Sequence, residues 1–275
     1  MRYFIYLSYD GTAYHGWQTQ PNAVSVQETI EQRLSLLMGR PTYIVGAGRT
    51  DAGVHARLMV AHFEVEEGGA SAAPASDPAP RPELDVAQLA RRLGQMLPDD
   101  IAIHRIVPVR PDAHARFSPR VRTYRYYITT RKSPFDRHYA QRIYWQLDVE
   151  RMNEAAARLR EFTDFTSFSK LHTDVKTNNC RIMEARWDAE WSGGEASRAA
   201  GDEPDRLVFT IKADRFLRNM VRAVVGTLML VGRGRMTVEE FCRTVERRDR
   251  CAAGDSAPAH ALFLEEIEYP DDIFL

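Results

Sequence analysis

The sequence predicts an α+β protein made of two ferredoxin-like units of the βαββαβ type, with their sheets joined around a central cleft. Three observations lead there. Apolar runs of strand length alternate with segments whose apolar residues recur at helical spacing. Their order in residues 1–109 reads strand, helix, strand, strand, helix, strand. A looser version of that order returns in residues 110–275, so the expected division is 1–109 and 110–275. The halves share topology without evident sequence repetition.

Residues 3–8 are apolar and closed by the turn Asp10-Gly11, which predicts a first strand. Ser25 with Glu28 forms a capping-box pattern, and Val26, Ile30, Leu34 and Leu37 follow at helical spacing. Tyr43-Ile44-Val45 and the run from Leu58 to about Val65 read as strands on either side of a glycine-rich turn. Residues 66–82 lose periodicity and gain Gly, Ala, Ser and Pro, the composition of a surface loop. Residues 85–96 predict a helix with Val86, Leu89, Ala90 and Leu93 inward, and 101–107 a strand.

In the second half, 121–130 and 141–147 read as strands joined by a turn containing Pro134. A helix over 149–161, strands over 180–191 and 207–213, helices over 216–231 and 238–247 and a last strand over 262–269 complete the pattern. The stretch 192–205 reads as a second insertion-like loop.

Of 275 residues, 44% are hydrophobic, enough for a substantial core, and the net charge is -1. Charge is unevenly placed. Between Arg105 and Arg142 stand ten Arg or Lys (105, 110, 116, 120, 122, 125, 131, 132, 137, 142) against Asp112 and Asp136. Such a local excess suits a polyanion. Cys180, Cys242 and Cys251 lack the spacing of a disulfide framework or a zinc site. No signal peptide or membrane-length apolar run is visible, so a cytoplasmic protein without a membrane partner is expected.

The candidate site is Gly46-Ala47-Gly48-Arg49-Thr50-Asp51-Ala52-Gly53-Val54-His55-Ala56. Its glycines thin the backbone so that a ligand can approach, and Arg49 with Asp51 form a polar pair on the turn. A plain hairpin turn is the competing reading. Dinucleotide binding fits poorly, because Asp51 occupies the third glycine position of that fingerprint and a strand follows where a helix is needed. The chain has no P-loop, no nucleophile elbow and no pair of histidines at i, i+4 with a helical carboxylate, which speaks against phosphate-loop, acyl-transfer and metal chemistry.

Three further segments carry candidate chemistry. His114-Ala115-Arg116-Phe117-Ser118 leads into a strand where Arg122, Tyr124 and Tyr126 share one face and Thr123, Arg125 and Tyr127 the other. Arginine alternating with tyrosine suits a surface that holds phosphates and stacks a base, or an amphipathic edge strand. Arg218 and Arg222 stand four apart on an apolar helix, with Asp51 a candidate partner; snorkelling at a helix start is the alternative. Thr163-Asp164-Phe165-Thr166-Ser167-Phe168-Ser169-Lys170 is rich in hydroxyls and aromatics.

Gly48-Arg49-Thr50-Asp51-Ala52-Gly53-Val54-His55-Ala56 resembles the signature of the tRNA pseudouridine synthase A family. Tyr9-Asp10-Gly11-Thr12-Ala13-Tyr14-His15-Gly16-Trp17 resembles the family's N-terminal segment. The motifs at 114–126, 164–168 and 216–222 resemble three more, in the family's order, and the resemblance runs from Tyr3 to Tyr269. It implies isomerisation of uridine to pseudouridine in the tRNA anticodon stem-loop, typically at positions 38 to 40, by a homodimer without cofactor or metal.

By motif, Asp51 is then the catalytic carboxylate that starts cleavage of the N1–C1′ bond, either by adding to the sugar or by taking a proton from C2′. The uracil rotates and rejoins through C5. The resemblance makes Tyr124 the ring that stacks on the target base and assists late loss of the C5 proton. It pairs Arg222 with the carboxylate and sets Arg49 to hold the flipped nucleotide. Ala261 and Phe263 depart from the glycine and tyrosine usual in the family. The alternative is a non-catalytic RNA-binding protein on the same scaffold, which an intact Asp51 speaks against.

Overall fold

The first strand, β1 (Arg2–Tyr9), is apolar on both faces, the composition of an inner strand covered above and below. A helix α1 (Val26–Met38), a two-residue strand β2 (Val45–Gly46) and the long strand β3 (His55–Glu64) follow. Next come α2 (Val86–Met96), β4 (Ile101–Val109), β5 (Val121–Thr129) and the short β6 (Gln141–Arg142). Then α3 (Val149–Arg158), β7 (Ile182–Glu190), α4 (Gly194–Ala199), β8 (Arg206–Ala213), α5 (Met220–Gly232), α6 (Val238–Glu246) and β9 (Leu262–Glu268) complete the chain. The computed structural model describes residues 1–65, 84–170, 177–191, 193–200 and 204–275. The expected loop at 66–82 therefore lies outside the described residues.

The protein is α+β, with one large mixed sheet in the order β4-β1-β3-β9-β5-β8-β7; β2 pairs on β3 and β6 on β5. β1 pairs antiparallel with both β3 and β4, and β5 antiparallel with both β8 and β9. The two halves of the sheet meet at β3 and β9, a parallel ladder of two pairs, His55↔Phe263 and Ala56↔Leu264. That seam lies at the foot of the turn carrying Asp51. One large apolar cluster runs through both halves, and Tyr127, Ala140, Val208 and Phe263 form a small second one. Among the described residues, no helix is long and apolar enough to cross a membrane.

Local chemistry explains most boundaries. Ser25 caps α1 by accepting the Glu28 N–H at 3.2 Å, but Glu28 accepts from Gln32 at 3.4 Å, so the expected box is half made. The complete box is at Thr237 and Glu240, ahead of α6. Leu89 and Leu93 of α2 are buried as expected, with Val86 and Ala90 partly buried against the core.

Several expectations need correction. The strand at 141–147 shrinks to β6, which runs parallel to β5, because Tyr144 and Trp145 turn outward onto Arg142 and Arg233. The strand at 43–45 shrinks to β2, since Tyr43 faces solvent and only Ile44 is buried. β3 starts at His55, three residues early, because His55 pairs with β9. Part of the 192–205 loop is helix α4. Finally, α5 starts at Met220, not 216, because Asn219 takes a left-handed conformation (φ 66°) that no helix continues through.

Candidate active site

The turn between β2 and β3 is held by close backbone approach. Gly46 lies against the indole of buried Trp17, where a Cβ would stand 2.4 Å from Nε1. Gly16 (φ 90°) lets the 9–17 loop press onto the turn, where a Cβ would meet the Thr50 carbonyl at 2.4 Å. These two glycines make room for protein, whereas Gly48 faces open space. Tyr9 and Thr50 hydroxyls pair at 2.8 Å in the interior, and the Asp51 carbonyl accepts the Val54 N–H at 3.2 Å. The buried His55 ring has Nδ1 3.0 Å from the Gly11 nitrogen and 2.9 Å from Asp10 Oδ1, and Nε2 3.0 Å from the His260 carbonyl oxygen. Burial lowers its pKa, with the charge of Asp10 opposing. The turn is thereby tied to both the 9–17 loop and the segment before β9.

Asp51 is half-buried and faces two arginines. Arg222 Nη1 donates to its Oδ2 at 3.1 Å, and Arg218 Nε lies 3.7 Å from Oδ1. Arg222 also donates through Nε to the Ala257 carbonyl at 2.7 Å, which fixes its direction. Expected helical spacing does not explain the convergence. Arg218 precedes α5, and the left-handed turn at Asn219 separates it from Arg222. The Asn219 amide donates to Ser256 Oγ at 2.6 Å, and Arg250 Nη2 reaches the same hydroxyl at 3.0 Å.

Asp51 opens onto a cleft of about 1060 Å³ that is lined from both halves of the chain. Among the described residues, Arg49, Lys170, Arg218, Arg222 and Arg250 line it with Asp51 as the one carboxylate, so their field is positive. Lys170 belonged to a noted segment. Asn219 stood in the 216–222 motif without a role of its own, and Arg250 and Ser256 carried no sequence signal, since only folding brings 250–256 beside 218–222. A recess of about 30 Å³ leads inward, lined by Arg49, Asp51, Tyr124, Phe216 and Leu262 among others. Thus Asp51, Tyr124, Arg222 and Arg49 all border one recess.

Tyr124 is buried edge-on to Phe216, ring centres 5.0 Å apart. Burial pushes its hydroxyl up to about 12; Arg122 opposes the rise and Asp51 adds to it. It is therefore a neutral phenol at neutral pH. The rest of β5 corrects the expected phosphate-holding surface. Arg122 donates to the carbonyls of Asp214 (2.8 Å), Arg116 (2.6 Å) and Ala47 (3.1 Å), and Tyr126 and Tyr127 are buried. β5 lies between β8 and β9, so both its edges are paired; Arg122 serves the backbone, and Arg125 lies 3.5 Å from Glu265. Of the two family departures, Ala261 is fully buried in a short turn, and Phe263 stacks on His55 with centres 4.6 Å apart.

The chain matches a family model described as tRNA pseudouridine synthase over residues 5–118 and 155–270. It is similar to curated proteins named tRNA pseudouridine synthase A. That of Bacteroides thetaiotaomicron is 55% identical over 273 residues, covering 99% of this chain and 92% of the relative. That of Porphyromonas gingivalis is 54% identical over 274 residues, covering 100% and 99%. That of Bacteroides fragilis is 53% identical, covering 99% and 98%.

Proposed function

The chain belongs to the tRNA pseudouridine synthase family and isomerises uridine in tRNA; from that premise we propose how its residues do so. Asp51 is the catalytic carboxylate, Arg222 holds it in place, Tyr124 stacks on the target base, and Arg49 binds the flipped nucleotide. The observation that supports this reading best is the carboxylate fixed by Arg222 where a basic cleft narrows to a recess bordered by an aromatic ring.

The chemistry follows from that placement. A uridine must leave its stack to reach a recess of this kind, and a positive cleft takes the phosphates on either side. Arg222 and Arg218 hold the Asp51 carboxylate from two sides and so place it for the first step, whether it adds to the sugar or removes a C2′ proton. The N1–C1′ bond breaks, uracil turns and a C5–C1′ bond forms, with the C5 proton lost last and one gained at N1.

The proposal extends to the anticodon stem-loop as the target, typically positions 38 to 40, and to a homodimer working in the cytoplasm. It also covers the division into two ferredoxin-like units at 109/110. Strand order supports that division: β2 on β3 beside β1 and β4 in one half, and β9-β5-β8-β7 in the other.

Release of tritium from tRNA labelled at uridine C5 tests the assignment. Wild type should release it, and Asp51→Asn should bind tRNA yet release none. Wild-type release by Asp51→Asn would remove Asp51 from the mechanism.

A further inference from the structure

Phe117 leaves 75% of its surface exposed. A single exposed apolar residue needs no explanation. The turn that carries this one is different, because its backbone is fixed from several directions. Arg2 Nη1 donates to the Ala113 carbonyl (2.5 Å) and Tyr269 Oη to that of Ala115 (2.6 Å). His62 Nδ1 accepts the Ala115 N–H (3.2 Å), and the His114 carbonyl accepts those of Phe117 (3.2 Å) and Ser118 (2.9 Å). Arg122 then ties the Arg116 carbonyl to that of Ala47, two residues before Arg49. A ring on a fixed backbone, open to water, is organised in advance for a flat apolar partner.

The charges around it identify the partner. The Arg116 guanidinium lies 5.6 Å from the Phe117 ring centre. Burial lowers the Arg116 pKa, and the nearby charges of Arg49 and Arg215 lower it further. Among the described residues, none of these three arginines forms an ion pair with a carboxylate. Like charges crowded without an anion disfavour a second copy of the same surface and favour a polyanion. An aromatic platform with one guanidinium over its ring and two more charges near that guanidinium suits a nucleobase between phosphates.

We propose that Phe117 stacks on the nucleobase next to the uridine that enters the Tyr124 recess, while Arg49, Arg116 and Arg215 hold the phosphates between them. The inference rests on Asp51 acting on a flipped uridine in this cleft. Flipping leaves the neighbouring base without a stacking partner, and the Phe117 ring replaces it. Arg122 keeps the distance from platform to carboxylate constant, because one guanidinium holds both backbones.

The test uses tRNA carrying 2-aminopurine beside the target uridine, with wild type, Phe117→Ala, Phe117→Leu and Phe117→Trp. Binding should quench the probe with wild type and Phe117→Trp, but not with Phe117→Ala or Phe117→Leu. The Kd of Phe117→Ala should rise about tenfold, with its thermal midpoint unchanged. Unchanged affinity in Phe117→Ala, or equal quenching in all four proteins, overturns the proposal. So does a dimer that dissociates in Phe117→Ala, which would make the ring a contact between copies. Tritium release by Asp51→Asn set beside wild type reports separately on Asp51, so loss of that reading is distinguishable from loss of this one.

Discussion

Arg222 Nη1 and Asp51 Oδ2 lie 3.1 Å apart across 171 positions of sequence. The arginine reaches the carboxylate from the first turn of α5, while its Nε is held by the Ala257 carbonyl. Two anchors in different segments leave the guanidinium little freedom, so the carboxylate is aimed as well as charged.

Arg222→Ala should therefore lower single-turnover tritium release by roughly 10²–10³-fold, the usual loss for a fixed charge donor at a reacting group. Affinity for tRNA should fall much less, because Arg49, Lys170, Arg218 and Arg250 still line the cleft. Arg222→Lys keeps the charge but cannot span both acceptors, and should fall between the two. A rate in Arg222→Ala equal to wild type would show the pair to be structural alone.

Tyr124→Phe removes the hydroxyl and keeps the ring against Phe216. Its tRNA affinity should stay near wild type, while the single-turnover rate falls by about tenfold or more. With the hydroxyl pushed up to about 12, wild type should show no change of rate from Tyr124 between neutral pH and about pH 10. A large affinity loss with normal turnover of bound tRNA would contradict this role.

His62 supplies a dependence of stability on pH. Burial, with the charges of His114 and Arg2 behind it, lowers the His62 pKa from 6.5 to about 4, and Glu64 opposes. A folded value below the unfolded one means that the unfolded chain binds more protons between those limits. Stability should then be full above about pH 6.5 and fall as the pH drops toward about 4, by on the order of 2 kcal/mol. His114, also lowered, acts in the same direction. Urea midpoints measured from pH 7 to pH 4.5 should show the decline, and His62→Gln should flatten it. A decline of equal slope in the variant would assign the effect to other groups.

Periodicity gave away α1, α2, α3 and α6, because each has an apolar stripe and a polar remainder. The same method misjudged where α5 begins. Ten of its 13 residues are buried, so the helix has no polar face to time its start, and the left-handed Asn219 leaves no mark in an apolar pattern. The arginine–tyrosine alternation of β5 was visible too. Its meaning was not, since an exposed strand and one enclosed by β8 and β9 share that pattern.

The sequence by itself determined the class of fold, the turn carrying Asp51 and, through five ordered motifs, the family. Those properties reside in contiguous residues, where spacing and residue type suffice. The motif had already set Arg222 against Asp51; tertiary structure alone decided that Arg218 reaches Asp51 from outside the helix, that Arg250 joins the cleft and that Arg122 serves the backbone. Each of these depends on the two-pair seam between β3 and β9, which sets the ends of the chain's two halves against each other. Pairing across such a distance is fixed by the packing of the whole sheet, and no local pattern encodes it.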